Sequence, residues 1–256
     1  MYIGALELWS FLLVFARVTA LFVSMPVLGN QSIPATAKIG LAAIISLALR
    51  VVIAPSIHNI PPNIVSLLLQ ILSETAVGLL LGMLVQLIFL SLQIAGGFSD
   101  TEMGLGIINI LDPMSQQQTS LTGQFMYQLG MTLFLILGGH LWMIQVLYSS
   151  YQIVPAASAH FSGDFSGVMI QAVGQMFLLA FRIAAPLACL MLILDISFAI
   201  IARAVPQMNV FIVGMPLKLL LGIMTIAIIL PMVAMVVGQF VPVINDNAGV
   251  LLKAMR

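Results

Sequence analysis

Long apolar stretches alternate with short polar connections along this chain, and proline and glycine mark where most of the stretches stop. Runs over about 39–57, 64–95, 168–201 and 208–245 reach or exceed the ~20 apolar residues that cross a hydrocarbon core. Backbone groups find no water inside lipid, so runs of this length predict helices; barrel strands would alternate over about 10 residues, and these do not. Six helical regions follow from the pattern. The first, about 8–28, ends near Met25-Pro26 and Gly29-Asn30. The second, about 38–54, stops at Ala54-Pro55, and Pro61-Pro62-Asn63 restarts the chain, because proline is tolerated near helix starts. The third, about 63–95, would be ~48 Å long at ~1.5 Å per residue, so it is tilted or extends beyond the lipid. After the polar, glycine-rich stretch 96–123 come a fourth helix, about 124–153, closing at Val154-Pro155, and a fifth, about 167–201. A sixth, about 215–241, is expected to kink at Pro231 and end at Pro242.

Composition settles the solvent. Of 256 residues, 62% are hydrophobic and 6% charged, and the mean hydropathy is +1.19; an ordinary soluble domain is roughly 25% charged. The expectation is an all-α integral membrane protein of about six long, partly kinked hydrophobic helices arranged as helical hairpins, with residues 1–256 forming one membrane domain. The formal net charge is zero, so no basic face suggests nucleic acid. The N-terminus carries Glu7 and Arg17 in place of the basic region of a cleavable signal, so the first helix is expected to be retained. Alternating the connections puts Arg50, Lys253 and Arg256 on one side and Lys38, Arg203 and Lys218 on the other, a tie that leaves orientation undetermined by cationic loop bias.

Charged residues inside apolar runs are expensive and therefore informative. Gln70, Glu74, Gly78, Gly82 and Gln86 recur every four residues and form one stripe of the third helix. Gly78 and Gly82 have the small-xxx-small spacing that lets another helix approach, and Glu74 needs a cation or a proton. A packing seam with one satisfied carboxyl is the preferred reading over a proton relay. Arg17, Arg182 and Asp195 are further intramembrane charges; Arg182 and Asp195 lie about 220° apart on their helix and cannot pair with each other. Their partners are expected on other helices or other subunits.

Catalytic chemistry finds no support. His140 stands without an HExxH spacing, and its plainest role is a hydrogen-bonded structural imidazole. Cys189 is a lone thiol in an apolar run, read as a buried small hydrophobe. No nucleophile elbow, paired-aspartate signature or zinc motif occurs, so no catalytic residue, cofactor or metal site is expected.

Two stretches carry the functional expectation. In the first, Met103, Gly104, Gly106, Ile107, Ile108, Ile110, Leu111, Asp112, Pro113 and Met114 combine a permissive backbone, a fixed turn and more aliphatics than water-exposed loops carry. Such a segment suits occluding a cavity; a re-entrant turn that only fills space is the alternative. In the second, Val205-Pro206 disfavours helix continuation, Gln207 or Asn209 can cap, Gly214 permits a turn, and Pro216 is expected to begin the next helix. Lys218 would then oppose the macrodipole in a first turn, so it is expected to answer to an acidic or polar partner.

Arg203, Pro206-Gln207-x-Asn209-Val210-Phe211, Gly214-x-Pro216-x-Lys218 and Gly222 together resemble the signature of the FliR family, flagellar type III export-gate membrane proteins with counterparts in virulence secretion. Arg17-Val18, Met25-Pro26-Val27, Ile33-Pro34-x-x-x-Lys38, Asp112-Pro113 and Gly139-His140-Leu141 extend the resemblance over nearly the whole chain. It implies a multi-pass protein of the bacterial inner membrane at the flagellar basal body, joined to FliP and FliQ in a pore that passes unfolded flagellar subunits, with FlhA and FlhB completing the machine. It also implies that about 1–200 is FliP-like, that about 201–256 contributes to a FliQ-like hairpin, that the tip 203–218 lies near FlhB, and that about 104–118 helps plug the pore. The natural fusion to an FlhB-type protein known in some relatives is not expected. A small-molecule secondary transporter is the alternative; it calls for inverted repeats, and the faint echo between IPATAKIG and GMPLKLLLG fails because the Pro-to-Lys intervals differ.

Overall fold

The computed structural model describes residues 2–29, 33–53, 60–106, 120–159, 164–207 and 209–255. Among them the regular structure is helical: α1 (Tyr2–Ser24), α2 (Ala35–Ile53), α3 (Ile64–Met103), α4 (Leu121–Ile136), α5 (Gly139–Ile153), α6 (Asp164–Ala204), α7 (Val210–Gly238) and α8 (Phe240–Ala254). Four helices, α1, α3, α6 and α7, are long and apolar enough to cross a membrane, and α4 with α5 adds a fifth if the two form one broken span. The chain is a multi-pass membrane protein. It divides into two compact units: one holds residues 1–87, 138–173 and 240–256, the other 88–137 and 174–239.

In the first unit, α1 and α3 are joined along the glycine seam. A Cβ on Gly78 would strike the Arg17 carbonyl oxygen and lie 2.8 Å from Ala20 Cβ; one on Gly82 would fall on Ser24 Oγ and lie 2.9 Å from the Leu21 oxygen. Residue numbers rise together along the contact, so the two helices run parallel, with α2 packed on α1. Small residues matter here because lipid is as apolar as a side chain, and helices gain by close backbone approach. Leu13, Val14, Val18 and Leu21 on α1 and Val77, Leu81 and Val85 on α3 are buried. Farther along the sequence, α5 packs on α8, which buries Ile244, Ala248, Leu251 and Leu252.

In the second unit, α3 and α4 form an antiparallel pair. A Cβ on Gly96 would collide with the backbone of Thr122 and Gly123, one on Gly130 would strike Leu92, and Phe89 meets Phe134 edge-on at 5.4 Å between ring centroids. A second antiparallel pair is made by α6 and α7, where a Cβ on Gly214 would lie 3.2 Å from the Phe198 ring and one on Gly222 would be 3.1 Å from Met191 Cε.

Several boundaries differ from the sequence reading. Helix α3 continues through Gly96 and Gly97 to Met103, because the absent side chain of Gly96 lets α4 approach and the contact holds the helix together. The expected fourth helix is two, broken where Gly138 takes φ 77°. Helix α7 begins at Val210, so Pro216 is inside it, as are Pro231 and, in α6, Pro186. Each proline removes one rung of helix hydrogen bonding. Pro242 does not end a helix; it lies in the first turn of α8, where a missing N–H removes no rung. Cys189 is exposed, which corrects the expectation of a buried thiol.

Candidate functional site

The first unit contains a sealed polar node. Arg17, in the middle of α1, donates from Nε to Glu74 Oε2 at 2.7 Å and from Nη2 to Glu74 Oε1 at 3.0 Å, a two-pronged match of guanidinium to carboxylate. Its Nη1 donates to Ser150 Oγ at 3.1 Å and to the Val154 carbonyl at 3.2 Å, where α5 ends and helix carbonyls lack partners of their own. The Tyr151 ring lies 3.9 Å from the guanidinium carbon, a cation–π contact. The Ala157 N–H donates to Glu74 Oε1 at 2.8 Å, and Ala157 reaches it from a left-handed φ of 64°. Both Arg17 and Glu74 side chains are 0% exposed. Both carboxylate oxygens are engaged, and the node ties α1, α3 and the end of α5 together.

The second unit carries the motif residues. Arg203, at the end of α6, and Pro206, Gln207 and Asn209 in the connection are exposed. Asn209 starts α7: its carbonyl and its Oδ1 both accept from the Ile212 N–H, at 3.2 and 3.4 Å. Phe211 lies in the first turn of α7, and Gly214 is buried against Phe198. Lys218, two turns into α7, meets the Asp195 carboxylate of α6 at 2.5 Å, with the two side chains 20% and 51% exposed. Arg182 is exposed on α6.

Of the proposed plugging residues, Met103 is buried and Gly104 and Gly106 are half-buried. Ile107, Ile108, Ile110, Leu111, Asp112, Pro113 and Met114 lie outside the described residues. Met103 packs where a side chain on Gly222 would stand, which gives that motif glycine a physical reason. Gly104, at φ 81°, ends α3: its N–H donates to the Thr101 carbonyl at 3.2 Å and the Leu105 N–H to the Asp100 carbonyl at 2.9 Å. That pair of bonds is the Schellman closure, which favours glycine at this position.

Sequence reasoning passed over Asp100. Its buried carboxylate accepts from Ser120 Oγ at 2.6 Å and from the Thr122 N–H at 3.1 Å, while Ser120 Oγ accepts from the Gly123 N–H at 2.8 Å. A serine before an apolar run is a helix-start signal and was readable; the second cap, twenty residues upstream, was not. Ser150, Tyr151 and Ala157 also escaped notice, since nothing in the sequence marks the end of α5 as a charge site. His140 is exposed, and among the described residues no three His, Cys, Asp or Glu side chains gather to hold a metal.

Comparison with known proteins adds the lineage. Residues 8–242 match the family described as bacterial export proteins, family 1. The chain is 33% identical over 234 residues to the flagellar biosynthetic protein FliR of Bacillus subtilis (strain 168), covering 89% of this chain and 88% of that one. It is 30% identical over 220 residues to FliR of Escherichia coli (strain K12), covering 85% and 83%. To the Yop proteins translocation protein T of Yersinia pestis it is 32% identical over 216 residues, 82% of each. The family match runs from the first helix into the last and takes in the motif block at 203–222; the resemblance to FliR holds over most of the length, and the chain belongs to the bacterial export proteins, family 1.

Proposed function

We propose that this chain is the FliR-type subunit of a bacterial type III export apparatus, forming with FliP and FliQ the pore that passes unfolded flagellar proteins across the inner membrane at the basal body, next to FlhA and FlhB. The observation that carries the reading is the family match over residues 8–242, with FliR and a Yop translocation protein among the similar chains. The role is that of a conduit subunit and not of an enzyme. In this reading the part up to about residue 200 is FliP-like, and about 201–256 contributes to a FliQ-like hairpin whose tip, 203–218, faces the cytoplasm near FlhB.

The exposed apolar surface of α6 and α7 supports a shared structure: Leu192, Ile196 and Ile200 on one helix and Ile212, Leu220 and Ile223 on the other are exposed beside the Asp195–Lys218 pair. An ion pair held against bare lipid is costly, whereas a neighbouring subunit can satisfy it. The test is a deletion strain complemented by the tagged chain. Motility should depend on it, and mild solubilisation should recover FliP and FliQ with it. A motile deletion strain, or a chain that purifies without either protein while transport continues, overturns the proposal.

Within this function, we assign 104–118 to plugging the closed pore. Shortening 106–114 should raise ion leakage through the assembled gate; unchanged conductance would remove the plugging role and leave the subunit assignment standing.

A further inference from the structure

We infer that the outward face of α6 is a docking surface for one helix of a neighbouring subunit, and that this helix brings a carboxylate to Arg182; the inference rests on the subunit role proposed above. Leu178, Arg182, Ala185, Cys189, Leu192 and Ile196 follow one another at alternating steps of four and three, and all six are exposed. An average step of about 3.5 residues keeps such a row turned toward one partner helix along its length. The opposite face of α6 is already used. Met176, Ala180, Ile183, Leu187 and Met191 are buried there, about 180° from the exposed row at ~100° per residue. Met191 Cε lies against the site of Gly222 on α7. The chain's own packing takes one side of α6 and leaves the other whole.

Charge selects the occupant. Among the described residues Arg182 has no acid within ion-pair distance. The nearest acid on its own helix, Asp195, is 13 positions on, ~20 Å along the axis, and is taken by Lys218. A guanidinium in an apolar run calls for a carboxylate, which it can grip with two parallel hydrogen bonds. The rest of the row suits a helix: Ala185 and Cys189 stand four apart beside Arg182, and side chains this small let a second backbone come close. Within the same hairpin α7 is the contrast. Its exposed Ile212, Leu220, Ile223 and Ile228 are large aliphatics, which lipid tails and protein accept equally. Arg182 is what makes the α6 face selective.

A carboxylate opposite Arg182 also sets the register of the two helices. A slip of one turn, ~5.4 Å, would leave both charges unpaired in a dry contact. The ion pair therefore fixes which helix docks and at what height, while the leucine and isoleucine side chains contribute area.

The experiment uses the tagged chain expressed with FliP and FliQ. A photoreactive side chain placed at position 189 should crosslink to FliP or FliQ. One placed at Ser197, which is exposed and bonds only to its own helix, should do so about fivefold less, because it lies about 100° from the row. Arg182→Glu should lower the FliP and FliQ recovered with the chain about tenfold, at an unchanged amount of chain in the membrane, since like charges would meet at the contact. Arg182→Lys keeps the charge and should lower recovery about threefold or less. Cys189→Phe should lower it about fivefold by holding the backbones apart, whereas Ser197→Phe, the same bulk off the row, should leave it unchanged. Crosslinks from position 189 to lipid alone, or between two copies of this chain, overturn the inference, as does full recovery with Arg182→Glu. In each of these cases the subunit role stands as long as the unaltered chain recovers FliP and FliQ. If the unaltered chain recovers neither, the subunit role falls and the inference falls with it. Should Arg182→Glu lower the amount of chain itself, the crosslink from position 189, made with Arg182 intact, decides: FliP or FliQ in the product supports the docking face, and their absence overturns it.

Discussion

Arg17–Glu74 and Lys218–Asp195 both bind one helix to another through charge, yet the first pair is fully sealed while the second leaves Asp195 51% and Lys218 20% exposed. Removing two charges from water costs several kcal/mol per ion, and the sealed pair offsets this with bonds to Ser150, Val154 and Ala157 and the Tyr151 ring. All of that comes from the same chain and the same compact unit. Among the described residues the open pair has no comparable shell around it. Its carboxylate stays half-exposed on a hairpin that also exposes Leu192, Ile196 and Ile200. Internal architecture consumes one pair; the other retains capacity for a neighbour.

Breaking the sealed pair should have the largest effect. Glu74→Ala leaves a buried guanidinium unpaired and should destabilise the chain by about 3–5 kcal/mol. The amount of full-length chain in the membrane fraction should fall sharply, and the double change Arg17→Met with Glu74→Leu should recover much of it, since apolar replacement removes both charges together. Normal levels of Glu74→Ala would show that the node carries no stability.

Changing the open pair should affect assembly more than the chain. Lys218→Glu faces Asp195 with a like charge, and because exposed pairs contribute about 1 kcal/mol or less, monomer insertion should persist. Recovery of FliP and FliQ with the tagged chain, and motility, should drop, and adding Asp195→Lys should restore both. Equal loss of the monomer would erase the contrast between the two pairs.

The smallest effect sharpens the comparison from inside the node. Ala157 holds its N–H on Glu74 from a left-handed backbone, which costs an L-residue about 1–2 kcal/mol. Ala157→Gly removes that strain but adds freedom to the unfolded chain, so the net gain should be about 0.5 kcal/mol, read as a slightly higher melting temperature in detergent. A loss of stability would mean the methyl group is needed for packing.

How much of this could be read from the sequence depends on whether the cause was local. Helix cores were legible because crossing lipid demands length and apolarity, and the chain supplies both. Helix ends were not, since Gly96 is helical only because Gly123 needs its space, and Pro216 is tolerated inside α7 against ordinary local preference. That Glu74 requires a partner follows from its cost in an apolar run; that the partner is Arg17, 57 positions earlier, comes from the fold alone. Lys218 opposing a helix start pointed toward an acid, while Asp195 could be chosen only once α6 and α7 were seen to pair. Asp100 left no trace because an aspartate near glycines reads as loop, and its second cap lies across the hairpin.

The parallel arrangement of α1 and α3 has an implication for biosynthesis. Arg17 emerges from the ribosome early, but its ligands at residues 74, 150 and 154 follow 57, 133 and 137 positions later. Until Glu74 is made the first helix carries a solitary cation that hydrocarbon rejects, and until α5 is made the ion pair lacks the rest of its shell, so full burial of Arg17 waits for both. The order of synthesis thereby becomes a timer that delays burial of the leading segment until its companions have arrived.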